Sequence, residues 1–227
     1  MRQNLVIDAD DTLWENNIYF EQAFDEFISF LNHSHLTPVQ IRVALDEIEL
    51  ANIQVNGYGA TNFAENCFTC YQRLLERDLQ PEDRDRIMTL ASKIMEQPIQ
   101  TLPKVEETLD YLSSRHDLLL FTKGHPEEQK LKIDRSALGI YFGHTAIVRE
   151  KDPAAYLALM KEQGLEPSMT WMIGNSPKSD INPALKAGMN AVYVHHPQTW
   201  HLEHTDLVTG PGRLIKLKSF SELKRHF

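Results

Sequence analysis

Cysteine is scarce in this chain. Cys67 and Cys70 are the only two among 227 residues, too few for a disulfide framework, so a reducing compartment fits. Long apolar runs are missing as well: no stretch approaches the roughly 18 to 20 residues that a membrane-spanning helix needs. The opening "MRQNLVIDADD" turns acidic before a signal-type apolar segment develops. Positive charge is in deficit, with 23 Lys and Arg against 32 Asp and Glu and a formal net charge of −9. That balance argues against a broad basic surface for nucleic acid or anionic lipid. Low-complexity tracts and internal repeats are also lacking. We therefore expect a cytoplasmic protein, monomer or homodimer, with neither nucleic acid nor membrane as partner. A hydrophobic fraction of 42% and a charged fraction of 24% are ordinary for a globular chain. This length suffices to bury roughly 70 to 75% of the unfolded surface.

Two textures divide the chain. From Glu15 to about Pro98 the apolar residues recur at helical spacing, as in Phe20, Phe24, Phe27, Ile28 and Leu31. "LTPVQI" supplies Thr37 as a cap, Pro38 at the first helical position and Gln40 where a capping box wants it. Two further stripes follow, through Phe63, Cys67, Tyr71 and Leu74 and then Ile87, Leu90 and Ile94. After "QPIQTLPK" short apolar runs alternate with helical stretches: "LLLF" (118–121), "AIV" (146–148), "WMI" (171–173) and "AVYV" (191–194). Such alternation predicts a parallel sheet with crossover helices. The opening "LVI" belongs with these strands. The expected fold is α/β, a Rossmann-like doubly wound core from 1–14 and 101–227, with an all-helical insert at 15–100 after the first strand.

In an open α/β sheet, ligands bind beyond the carboxyl ends of the strands. The first strand presents Asp8 and Asp10 there, "LLLF" runs into Thr122, the region after "AIV" holds Lys151, and "WMI" leads into "GNSPKSD" with Asn175 and Asp180. Clustered carboxylates repel, and protons or a cation must relieve them. Magnesium takes oxygen ligands and is commonly held by one or two carboxylates together with substrate phosphate. Lys151 and the Thr122 hydroxyl could bind the remaining oxygens of a phosphoryl group.

These residues, in this order, resemble the motif set of the haloacid dehalogenase-like hydrolase superfamily, and specifically its phosphatase branch. The matches are D-x-D-x-T at Asp8, Asp10 and Thr12, a strand ending in Thr122, Lys151 ahead of a helix, and Gly174 to Asp180. The helical insert looks like the family's cap domain. The resemblance implies that Asp8 is the nucleophile that becomes an aspartyl phosphate. It makes Asp10 the general acid and base. Mg2+ would be bound by the Asp8 carboxylate, the Asp10 carbonyl and Asp180, with Asn175 as a further metal-site residue. Thr122 and Lys151 would stabilise phosphoryl oxygens. The family's fourth motif usually begins Gly-Asp, whereas Gly174 is followed here by Asn175, whose amide oxygen brings no charge. The implied activity is hydrolysis of a small phosphorylated metabolite.

Other residues carry two readings. Asp11 occupies the variable position of the motif and is read as a turn or backbone-bonding residue. Lys123 and Gly124 follow the Thr122 strand and are candidate substrate contacts. "NGYGA" (56–60) is an interhelical loop in which Tyr58 is a candidate specificity contact. Cys67 and Cys70 form C-x-x-C but lie on an apolar stripe, so core packing is expected rather than zinc. "HHPQTWHLEH" (195–204) is read as a surface loop. The rival functions are a phosphomutase or phosphotransferase, a 2-haloacid dehalogenase, and a non-catalytic phospho-accepting signalling domain. Dehalogenation needs no acid to protonate the leaving halide and no magnesium, so Asp10 and Asp180 argue against it.

Overall fold

A computed structural model describes all residues, 1–227. In chain order the elements begin with β1 (Asn4–Ile7), α1 (Asn17–Leu31), α2 (Pro38–Asn56), α3 (Ala60–Leu74), α4 (Pro81–Glu96) and α5 (Val105–Ser113). They continue with β2 (Asp117–Lys123), α6 (Pro126–Ser136), β3 (His144–Val148), α7 (Pro153–Gln163), β4 (Thr170–Gly174), α8 (Asn182–Lys186), β5 (Asn190–Val194) and β6 (Leu214–Leu217). The chain forms two compact units, one of residues 1–17 and 99–227 and the other of residues 18–98.

The first unit is a six-stranded sheet in the order β3-β2-β1-β4-β5-β6, with every pairing parallel. Alternation of side chains along each strand feeds two cores. Leu5 and Ile7 of β1, Leu118 and Leu120 of β2, and Trp171 and Ile173 of β4 join Val105, Leu109 and Leu112 of α5 on one face. Val6, Leu119, Phe121 and Met172 join Tyr156, Leu159 and Met160 of α7 on the other. The sheet is therefore covered on both sides, as a parallel sheet requires. Sequence reading names five strands, and the sixth is "LIKL" at β6. It is an edge strand in which Lys216 interrupts the apolar run, so its pattern is too short and mixed to stand out.

The second unit is all helical. Phe24, Phe27, Ile41, Leu45, Phe63, Tyr71, Ile87 and Leu90 form its core together with Cys67 and Cys70, both free and fully buried. Helix α2 begins with the expected capping box: the Gln40 N–H donates to Thr37 Oγ1 at 3.3 Å, and the Thr37 N–H donates to Gln40 Oε1 at 2.9 Å.

Candidate active site

The strand order reverses direction at β1 and β4, which lie side by side, and a crevice opens beyond their carboxyl ends. Asp8 leaves β1 there, its N–H donating to the Ile173 carbonyl at 2.9 Å. Gly174 ends β4, and a five-residue π-type turn, Pro177–Ile181, brings Asp180 back toward the sheet. Lys151 arrives from the segment between β3 and α7. Its Nζ donates to Asp8 Oδ1 at 2.5 Å and to Asp180 Oδ1 at 2.8 Å, and all three residues are at most 7% exposed. Burial and the nearby Asp180 raise the Asp8 carboxyl to about 7, against the opposing pull of Lys151. Burial works against charge on Lys151 too, but Asp180 and Asp8 outweigh it and hold the amine above its ordinary value. Gly174 is required by contact: a Cβ there would lie 2.2 Å from Asp180 Oδ2. Thr122, 1% exposed, stands near the end of β2, two positions beyond the Ile7–Leu120 pairing.

Asp10 lies in different surroundings. Trp14 Nε1 donates to its Oδ1 at 2.8 Å, Gln129 Nε2 to its Oδ2 at 2.7 Å, and Lys132 Nζ to both oxygens at 2.7 and 2.6 Å. Burial favours the protonated form, but the Lys132 charge and the bonds from Lys132, Gln129 and Trp14 prevail, keeping Asp10 below the usual carboxylate range. Sequence reading did not find Gln129 and Lys132. Their three-residue spacing on α6, the helix that follows β2, is a signal only once that helix's facing side is known.

The Thr12 hydroxyl lies 2.9 Å from Asp8 Oδ2 and 3.0 Å from Asn175 Oδ1, and Asn175 Nδ2 donates to Thr199 Oγ1 at 2.8 Å. Asn175 thus links the loop that follows Asp8 to the segment after β5. Lys123 Nζ donates to Glu203 Oε1 and to Ser179 Oγ, each at 2.7 Å, and Ser176 Oγ donates to Glu203 Oε2. Burial opposes charge on Glu203, yet Lys123 and the two serines hold its carboxyl down at about 2. Gly124, at φ 142°, makes room for Gln129, whose Nε2 would lie 2.8 Å from a Cβ. Tyr58 sits in the helical unit, in the loop between α2 and α3, where its carbonyl accepts from Asn62 Nδ2 at 3.2 Å.

Asp11 has φ 59° and accepts from the N–H groups of Asn16 at 2.8 Å and Asn17 at 3.1 Å, a backbone-bonding role. The segment after β5 is only in part the surface loop expected: His195, Pro197, Gln198, His201 and His204 are exposed. His196, Thr199 and Glu203 are all buried, and His196 Nε2 lies 3.4 Å from Glu15 Oε2. Polar residues that satisfy one another inside the fold have the same composition as a solvated loop, which is why the sequence misleads here. Ligand atoms of Asp11, Glu15 and His196 lie within 4.8 Å of one another. Both Asp11 oxygens already accept backbone N–H groups, so this is an interior polar cluster.

The principal site suits a hard divalent cation. Two buried carboxylates, Asp8 and Asp180, share one ammonium, which leaves a net negative charge among oxygen donors. Asp8, Asp180 and the Asp10 carbonyl are the groups that would hold one, with Asn175 beside them.

A model of the haloacid dehalogenase-like hydrolase family matches residues 3–188. The chain belongs to that family, and its fold and strand-end acids define a hydrolase of this class. Similar solved structures include a haloacid dehalogenase-like family hydrolase from Xanthomonas campestris, with TM-score 0.85 and 27% identity over 99% of this chain and 90% of that one. YfnB from Bacillus subtilis, assigned to the same hydrolases and bound to magnesium, has TM-score 0.71 and 15% identity over 100% and 99%. A 2-haloacid dehalogenase from Pseudomonas syringae has TM-score 0.60 and 21% identity over 99% and 97%. No curated protein matches the sequence. No helix is long and apolar enough to cross a membrane.

Proposed function

We propose that the protein is a Mg2+-dependent phosphomonoesterase that acts on a small phosphorylated metabolite through an aspartyl phosphate. The observation that carries this reading is the pairing of Asp8 with a second carboxylate, Asp10, two residues on and separately held by Lys132. Loss of an alkoxide needs a proton donor, and loss of halide does not. Asp8 attacks phosphorus, the bond to the ester oxygen breaks, and a proton passes through Asp10 to that oxygen; Lys132 keeps the resting Asp10 carboxyl ionised, so that proton enters with the monoanionic ester. Asp10 then takes a proton from water, whose oxygen bonds to phosphorus as the bond to Asp8 breaks and phosphate leaves. Lys151 and Thr122 hold phosphoryl oxygens as charge spreads over them. A bound Mg2+ supplies positive charge that lets an anionic ester approach an anionic nucleophile.

The test is hydrolysis of 4-nitrophenyl phosphate and then a panel of phosphorylated metabolites, with and without Mg2+, using Asp8→Asn as control. Mg2+-dependent phosphate release that Asp8→Asn abolishes is expected. Absence of turnover across the panel, or halide release from 2-chloropropionate in its place, overturns the proposal. Recovery of the phosphoryl group on another hydroxyl would make the protein a phosphotransferase.

A further inference from the structure

We infer that Lys132, seconded by Gln129, is a positioning residue that fixes the Asp10 carboxylate for proton transfer. The inference rests on the phosphomonoesterase reading. Lys132 and Gln129 lie three residues apart on α6, so they project from one face of that helix. Lys132 Nζ reaches both Asp10 oxygens, at 2.7 and 2.6 Å, and also Asn16 Oδ1 at 3.0 Å. Gln129, 4% exposed, donates one amide to Asp10 Oδ2 at 2.7 Å and to the Lys123 carbonyl at 2.9 Å. A surface ion pair would leave the carboxylate free to rotate. Asp10 instead has Trp14 Nε1 on one oxygen, Gln129 Nε2 on the other and an ammonium across both, which sets the plane of the group. Lysine at 132 does this from outside the group that binds phosphate, because Asp8 and Asp180 have their own lysine, Lys151. Asp10 touches the leaving oxygen, and Lys132 acts only through Asp10.

A carboxyl group that passes a proton to the leaving oxygen matters most when that oxygen is basic, and general acid catalysis is commonly worth about 10²- to 10⁴-fold. The experiment compares kcat/KM for 2,4-dinitrophenyl, 4-nitrophenyl and phenyl phosphate in the full-length wild type, Lys132→Met and Lys132→Arg, with Mg2+ present. Lys132→Met is expected to lose about tenfold or more on phenyl phosphate and less than about threefold on the dinitrophenyl ester, with Lys132→Arg recovering most of the loss. A fold effect or a lost anion-binding charge would lower all three esters by one factor. That uniform loss, or no loss, overturns the inference. If Lys132→Met does not fold, Gln129→Met carries the same comparison with the same two outcomes. A wild type that hydrolyses none of the esters overturns the proposed function itself, whereas an active wild type with an unchanged leaving-group trend in the variants overturns only the role of Lys132.

Discussion

Replacing Glu49 with glutamine should make the protein more stable at pH 8 and leave it nearly unchanged near pH 4.5. Glu49 lies on α2 in the helical unit, 7% exposed, and its Oε2 is buried without a hydrogen-bond partner. The cation that acts on it, Arg42, is already committed: it donates to Glu21 Oε2 at 2.6 Å and stacks 3.4 Å above the Phe24 ring. Burial therefore raises the Glu49 carboxyl from 4.5 to about 7, with Arg42 opposing and Asp46 and Glu21 adding to the rise. A carboxyl raised on folding is protonated in both states below its unfolded value, so it carries no penalty there. Between about 4.5 and 7 the folded state keeps a proton that the unfolded state has lost, and stability falls as pH rises, levelling off above about 7. At 1.36 kcal/mol per pH unit the full penalty is on the order of 3 kcal/mol. Glutamine cannot ionise, so Glu49→Gln should remove that penalty. At roughly 2 to 4 °C per kcal/mol for a chain of this size, Tm should rise by about 6 to 12 °C at pH 8 and by less than about 3 °C at pH 5. Thermal melts followed by circular dichroism at pH 5, 6.5 and 8 measure this. A Tm difference that stays constant with pH, or a less stable variant at pH 8, refutes the reasoning.

Gly174→Ala should abolish turnover while the circular dichroism spectrum is retained, because the new Cβ would fall 2.2 Å from Asp180 Oδ2 and drive that carboxylate off Lys151 and the Ser176 N–H. Lys123→Met leaves the buried Glu203 carboxylate without its cation and should cost about 3 kcal/mol in urea unfolding at pH 7, as breaking a buried pair commonly does. Asn175→Asp should keep Mg2+-dependent hydrolysis, since Thr12 can still donate to it, but should lose about 1 kcal/mol of stability with the bond to Thr199. Adding Mg2+ should raise Tm, by the equivalent of about 2.7 kcal/mol at a hundred times its Kd. Asp180→Asn should remove that rise, and a full rise in this variant would place the cation elsewhere.

The sequence made the sheet legible because a covered parallel sheet leaves a plain mark: short apolar runs at Leu118–Phe121, Trp171–Ile173 and Ala191–Val194, spaced by helices. Once the strand order is known, residues just past those runs must converge, which is how Asp8 and Asp180 come within 2.8 Å of the shared Lys151 ammonium. What stayed hidden depends on which way a side chain faces within a helix or an irregular segment. Lys123 reads as a substrate contact from its place after Thr122, and the fold adds a buried Glu203 that already binds its ammonium. Glu203, Thr199 and His196 come from a segment with no periodicity, where burial is decided by mutual hydrogen bonding rather than by apolar pattern.

Asp8 and Asp10 stand two positions apart in a motif that treats them as a pair, yet the fold separates them electrically. Strand geometry turns neighbouring even positions the same way only while the strand lasts, and β1 ends at Ile7. Beyond it the Asp8 side chain enters the buried crevice and meets Lys151 from the segment after β3, while Asp10 turns to Lys132 on α6. The result is a carboxyl raised to about 7 beside one held below its ordinary range. The order is the reverse of what attack by Asp8 and proton donation by Asp10 call for, so those roles need a cation to bring Asp8 down and an incoming proton to reach Asp10. Both acids have a lysine, and the difference comes from Asp180, which shares Lys151 with Asp8, and from the Trp14 and Gln129 donors that only Asp10 has.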